Sequence, residues 1–209
     1  MFEFLAKGGV LVFPIVLCSV LAVAIFVERI IRFSLINSRG AGLAEKTIAV
    51  LNDGKEKEAV ALALESNSPM GRVLAQVIDV KDQGRETIET VMAHATEEEV
   101  RHLSSYVQAL ATIGNIAPLL GLLGTVLGMI KAFMVIQQMG GKVNAAVLAG
   151  GIWEAMLTTA LGLSVALPTL VFHSYLIARI DAFEARLQEG GVAFLKAISR
   201  RKAAQEIRS

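Results

Sequence analysis

Very little in this sequence could hold a metal, a haem or a disulfide. Cys18 is the single cysteine, which rules out an internal disulfide framework. The three histidines are scattered, His94 and His102 in a charged stretch and His173 at the edge of an apolar one. None of the apolar stretches 10–27, 109–136 and 143–172 contains a histidine, so a haem held by two histidines from two spans is excluded, and no metal-ligand spacing is present. Neither a cofactor nor an enzyme's catalytic set is expected. An excess of one charge is lacking as well: 20 Lys and Arg against 19 Asp and Glu leave a net charge of +1, which gives no support for nucleic-acid binding.

Charge itself is missing over long stretches, and there the sequence is informative. Hydrophobic residues make up 54% of the chain and the mean hydropathy is +0.58, too apolar for an ordinary soluble domain, while 19% charged residues must lie outside lipid. The longest such stretch, Val143 to Phe172, carries one charged side chain, Glu154. About 20 uncharged residues already cross the roughly 30 Å hydrocarbon layer, so Glu154 cannot reach either surface. A charged acid near the bilayer centre costs at least about 2.5 kcal/mol. Two readings account for it: an ion or proton site facing the interior of a helix bundle, or an acid that pins helix packing through a hydrogen bond. Thr158 lies only about 40° round the helix from Glu154, whereas Thr159 lies about 140° away and requires either a broad pore wall or a different neighbour. Gly150 and Gly151 lie one turn before Glu154; Gly151, Ala155, Gly162 and Ala166 supply small surface for close helix contact, and Pro168 is positioned to kink the inner end.

Two further spans are legible. Val10 to Val27 is an uncharged run of eighteen residues followed by Glu28, Arg29 and Arg32. A cleaved signal peptide does not fit, because the basic cluster follows the apolar run and no small-residue cleavage pattern stands after it. The other span, 109–136, is interrupted by Gly114, Pro118, Gly121, Gly124, Thr125 and Gly128. Ala117 with Gly121, and Gly124 with Gly128, form two pairs of small residues that admit another backbone. Thr125 shares the face of Gly121 and Gly128, either as a pore-wall hydroxyl or bonded back to its own helix. Lys131 lies toward the outer end, able to reach the interface or Glu154.

Between these spans, residues 28–108 read as helices outside the lipid. Asp53 with Glu56 suggests a capping pair, Ser68 before Pro69 an N-cap, and Gly84 a break. From Arg85 no stop signal precedes the apolar run, so the spacing predicts one long helix entering the membrane. The acidic group Glu97 to Glu99 reads as a solvated face or as a guide for cations. The expected organisation is an N-terminal outer segment 1–9, a first span 10–27, a cytoplasmic helical region 28–108, a second span 109–136, an outer loop 137–142, a third span 143–172, and a cytoplasmic C-terminal helix and tail 173–209. Seventeen of the twenty Lys and Arg fall in 28–108 or after 172, which places the N-terminus outside and the C-terminus in the cytoplasm. The basic end, from Arg200, is suited to touch anionic lipid.

The run from Leu110 to Pro118 (LATIGNIAP), followed by Gly121 to Met129 (GLLGTVLGM), resembles the second span of the MotA/TolQ/ExbB proton-channel family. The run from Gly151 to Gly162 (GIWEAMLTTALG), continuing to Ala166, Leu167 and Pro168, resembles its third. The resemblance is closest to ExbB and TolQ, since the MotA type has a fourth span. It implies an all-α, multi-pass inner-membrane protein with long helices extending into the cytoplasm, assembled as a homo-oligomer, a pentamer in that family. A single-span partner like ExbD or TolR, bringing an aspartate, sits in the central pore of such an assembly, and a TonB-like or TolA-like protein spanning the periplasm receives the work. Carried over residue by residue, the ion pathway is Glu154, Thr125 and Thr159, with Thr158 in addition. Gly121, Gly124, Gly128, Gly151 and Gly162 are the expected helix-packing positions. A sodium-driven relative, in which Thr158 and Thr159 coordinate the cation, and a non-conducting scaffold remain as alternatives.

Overall fold

The computed structural model describes residues 10–39, 42–138 and 145–206. The expected outer segment 1–9 and most of the loop 137–142, with Gly140 and Gly141, lie outside the described residues. All regular structure among those described is helical: α1 (Val12–Arg39), α2 (Leu43–Asn52), α3 (Glu56–Glu65), α4 (Pro69–Asp79), α5 (Arg85–Ser104), α6 (Val107–Gln138) and α7 (Ala145–Glu206). The chain divides into two compact units, Met1–Glu28 with Tyr106–Leu176, and Arg29–Ser105 with Ile177–Ser209.

The second unit follows the usual rules for soluble helices. Ser68 caps α4 by accepting a hydrogen bond from the Gly71 amide at 3.1 Å, with Pro69 in the first turn, where its missing N–H costs nothing. Its core joins Leu43, Leu51, Leu74, Val77 and Ile78 to Ile88 of α5 and to Phe194 and Ile198 of α7. Arg72 of α4 clasps Glu99 of α5 with two hydrogen bonds of 2.5 Å. Glu99 is buried by that contact, so this member of the acidic group is a structural anchor, not a solvated face or a cation guide. The expected Asp53 cap is corrected: Asp53 closes α2, Gly54 turns the chain at a φ of 81°, and Lys55 stands at the start of α3 without a side-chain cap. The Asp53 amide bonds back to the Ala49 carbonyl, so the residue belongs to the preceding helix end.

Among the described residues, three helical stretches are long and apolar enough to cross a membrane: Val12–Ile36, Val107–Gln138 and Leu148–Arg200. With their exposed Leu, Val, Ile and Phe side chains, these make the chain a polytopic membrane protein. α1 packs through Val12, Ile15 and Ala22, and Phe26 stacks on Phe172 with ring centroids 3.9 Å apart.

One long helix entering the membrane is also corrected. α5 ends at Ser104, Ser105 is extended in ψ at 140°, and Tyr106 adopts the left-handed region at a φ of 64° before α6 begins. The hydroxyls of Ser104 and Ser105 donate to the carbonyls of Arg101 and His102, and Arg29 Nη1 donates to the Leu103 carbonyl at 3.4 Å. Side chains thereby take over carbonyls that a continuing helix would have bonded.

α6 is apolar on every side, so size, not polarity, selects its buried face. Val107, Leu110, Gly114, Ala117, Gly121, Gly124 and Gly128 are buried, spaced alternately three and four apart. This heptad-like seam packs antiparallel on α7. A methyl group added at Gly128 would lie 2.8 Å from the Ala155 side chain, one at Gly121 2.9 Å from the Thr158 carbonyl oxygen, and one at Gly162 2.6 Å from the Ala117 carbonyl oxygen. Helices in lipid gain nothing from excluding water from one another, so this close approach supplies dispersion contact that larger residues would forfeit.

Candidate functional site

Glu154 sits beside the seam, between the seam residues Gly151 and Ala155. Ala155, its neighbour, is buried against Gly128, which turns the Glu154 carboxylate to the side of the α6–α7 contact. The side chain is 31% exposed, and its Oε1 lies 3.4 Å from Nζ of Lys131 on α6. The two residues border a small cleft of about 120 Å³ together with Thr158, Gly124, Gly128 and, just before α1, Val10 and Leu11. Glycines on the α6 side leave this space open. A methyl group at Gly124 would run into the Thr158 hydroxyl.

Among the sequence-predicted positions, Thr158 is the one whose side chain shares this cleft with Glu154. It is 2% exposed, and its hydroxyl donates to the Ala155 carbonyl at 2.7 Å, with the Gly121 carbonyl at 3.4 Å. Its oxygen therefore retains lone pairs for a water or an ion. Thr159 is directed into the seam, donating to the Gly121 carbonyl across to α6 at 2.9 Å. Thr125 bonds back to its own helix, donating to the Leu122 carbonyl at 2.6 Å. Within a single chain these two hydroxyls do not meet the Glu154 carboxylate. The 140° offset in the sequence is thus matched by different neighbours for Glu154 and Thr159. The small residues fall along one line: Gly121 faces Thr158 and Thr159, Gly124 faces Thr158, Gly128 faces Ala155, Gly151 faces Ala132, and Gly162 faces Ala117 and Gly121. Gly150 has nothing near it.

Of the two readings open for Lys131, the interface or Glu154, the structure shows the pairing with Glu154. A signal was available: Lys131 is the single Asp, Glu, Lys or Arg between Val107 and Gln138, as Glu154 is between Val143 and Phe172. Two lone charges on adjoining apolar helices have reason to meet, because each lowers the cost of placing the other away from water.

Chemically, the arrangement is a carboxylate facing an ammonium where the two helices are otherwise apolar, with room beside them for a few waters and with Thr158 bordering that room. No group of three or more His, Cys, Asp or Glu able to hold a metal occurs among the described residues.

Comparison with known proteins gives the site a context. The MotA/TolQ/ExbB proton channel family matches the chain over residues 41–189. A putative biopolymer transport protein, ExbB-like 3, of Synechocystis sp. is 30% identical over 167 residues, which cover 79% of this chain and 79% of that protein. Biopolymer transport protein exbB1 of Vibrio cholerae is 30% identical over 183 residues, 86% of this chain and 80% of its own. The Tol-Pal system protein TolQ of Haemophilus influenzae is 37% identical over 91 residues, 43% of this chain and 39% of its own.

Proposed function

We propose that this chain, which belongs to the MotA/TolQ/ExbB proton channel family, is the multi-pass subunit of an inner-membrane motor that turns proton flow into mechanical work on the cell envelope. The observation that carries this reading is Glu154: the single charged residue of a 30-residue apolar stretch, lying beside a cleft and not sealed in the helix seam. A scaffold acid would be expected to sit inside the packing it pins. This one stands beside it, where a proton could arrive and leave.

In this proposal five copies form a ring, and the helices of a single-span partner like ExbD or TolR occupy its centre. An aspartate of the partner and Glu154 handle the proton in turn, with Thr125, Thr158 and Thr159 supplying hydroxyls along the wall. Motion passes to a TonB-like or TolA-like protein in the periplasm. The relatives named for biopolymer transport and for the Tol-Pal system support this class of partner. The protein itself acts as a channel subunit and not as an enzyme. Co-expression with the neighbouring gene for a single-span protein carrying one membrane aspartate tests the reading. The expected result is a stable complex in detergent with several copies of this chain per partner pair. A monomer that ignores that partner would overturn it.

The basic-residue asymmetry supports an outer N-terminus and a cytoplasmic C-terminus. Cysteines at Lys57 and Gln138, both exposed, are expected to react with an impermeant reagent from opposite sides of the membrane in a Cys18→Ala background. Labelling from the same side would refute the orientation.

A further inference from the structure

The pairing of Lys131 with Glu154 joins the single charge between Val107 and Gln138 to the single charge between Val143 and Phe172. It is also the one charged contact made by the Glu154 carboxylate among the described residues. We propose that Lys131 is a tethered cation that occupies Glu154 in the resting channel and makes the site selective for protons over sodium. This inference rests on the reading that Glu154 handles the ion.

The geometry has the properties such a device needs. The pair is close enough for direct attraction, at 3.4 Å, yet too long for a tight charge-assisted hydrogen bond. Lys131 is 71% exposed, so its long stem is not locked by packing and the ammonium can swing away. A buried, fully bonded pair would block the pathway, whereas a loose one is a reversible occupant. The glycines at 124 and 128 keep the floor of the cleft open beneath both groups.

Protons and sodium ions meet this arrangement differently. A proton that reaches Glu154 forms an O–H bond on one carboxylate oxygen and removes the charge that held Lys131, so the ammonium is released without a clash. When the proton departs to the next acceptor, the carboxylate charge returns and the ammonium settles back. A sodium ion leaves the carboxylate charged and must share its oxygens with an ammonium a few ångströms away, against like-charge repulsion. It also needs several further oxygen ligands. The hydroxyl hydrogens of Thr158 and Thr159 are committed to backbone carbonyls, and of the two residues Thr158 alone lines the cleft.

The test is proton flux into liposomes holding the complex with its single-span partner, followed with a pH-sensitive dye while sodium replaces choline at constant ionic strength. Wild-type flux is expected to be indifferent to sodium. Lys131→Met, similar in length and uncharged, is expected to lose flux on the order of tenfold as sodium is raised, because sodium now holds the carboxylate. Lys131→Arg should restore indifference. A flux lowered equally at every sodium level would show a merely structural lysine and overturn the proposal, as would sodium-indifferent flux in Lys131→Met. Should Lys131→Met fail to assemble, Lys131→Gln is judged by the same criterion. Glu154→Gln separates the two claims: if it conducts normally, the role of Glu154 itself fails, whereas if it is silent and Lys131→Met stays sodium-indifferent, only the lysine's role fails.

Discussion

Gly162→Leu is expected to abolish the membrane unit as a packed structure. The Cβ alone would stand 2.6 Å from the Ala117 carbonyl oxygen and 3.2 Å from the Gly121 Cα, both backbone atoms that no rotamer change can move. Relief requires the α6 and α7 backbones to separate by about an ångström along the seam, and the interior is too closely packed to absorb that locally. Overpacking ordinarily costs about 1–3 kcal/mol, and a clash against backbone at the centre of a helix pair belongs at or above the top of that range. In lipid no hydrophobic force opposes separation, so the helices have little to draw them together again. Size-exclusion chromatography and native mass spectrometry in detergent should show loss of the proposed oligomer, with Gly121→Leu close behind. Gly150→Leu is the control, since nothing stands near that position. An intact oligomer in Gly162→Leu would mean that the seam does not hold the assembly.

Much of this organisation was legible in the sequence because the membrane restricts the alternatives so strongly. Uncharged runs of spanning length have to be helices, and Glu154 stood out because charge is so costly there. The glycine positions could be read as contacts since small residues have few other uses in lipid. What could not be read was which way each helix turned. α6 is apolar all round, so no polar face fixed its rotation; Thr125 bonds within its own helix, and the contact with Gly121 assigns Thr159 to the seam. The break at Ser105 and Tyr106 was hidden for a different reason. Tyrosine seldom adopts a positive φ, and the serine hydroxyls and Arg29 that end α5 act through local and distant carbonyls without a Gly or Pro to mark the stop. For Lys131 the sequence left two readings open, the interface or Glu154, because pairing 23 positions apart depends on the register of two helices.

Glu154→Gln is expected to silence the proposed motor while leaving it assembled. Glutamine keeps the length of glutamate and can still hydrogen-bond, but it neither gains nor loses a proton near neutral pH. The side chain lies beside the seam and not in it, so the contacts of Gly121, Gly128 and Gly162 are untouched. Positioned proton-transfer groups contribute about a hundredfold or more, so flux should fall to background. Glu154→Asp retains the chemistry one methylene short and should keep part of the activity. Thr125→Val and Thr159→Val should lower flux without reaching zero. The measurement that bears most directly on the central claim is proton flux through the purified complex, reconstituted with its single-span partner, comparing wild type with Glu154→Gln under an imposed pH gradient. The account predicts partner-dependent flux in the wild type and none in a Glu154→Gln complex of the same size and composition. Wild-type flux through that complex would contradict it and make the acid a packing residue.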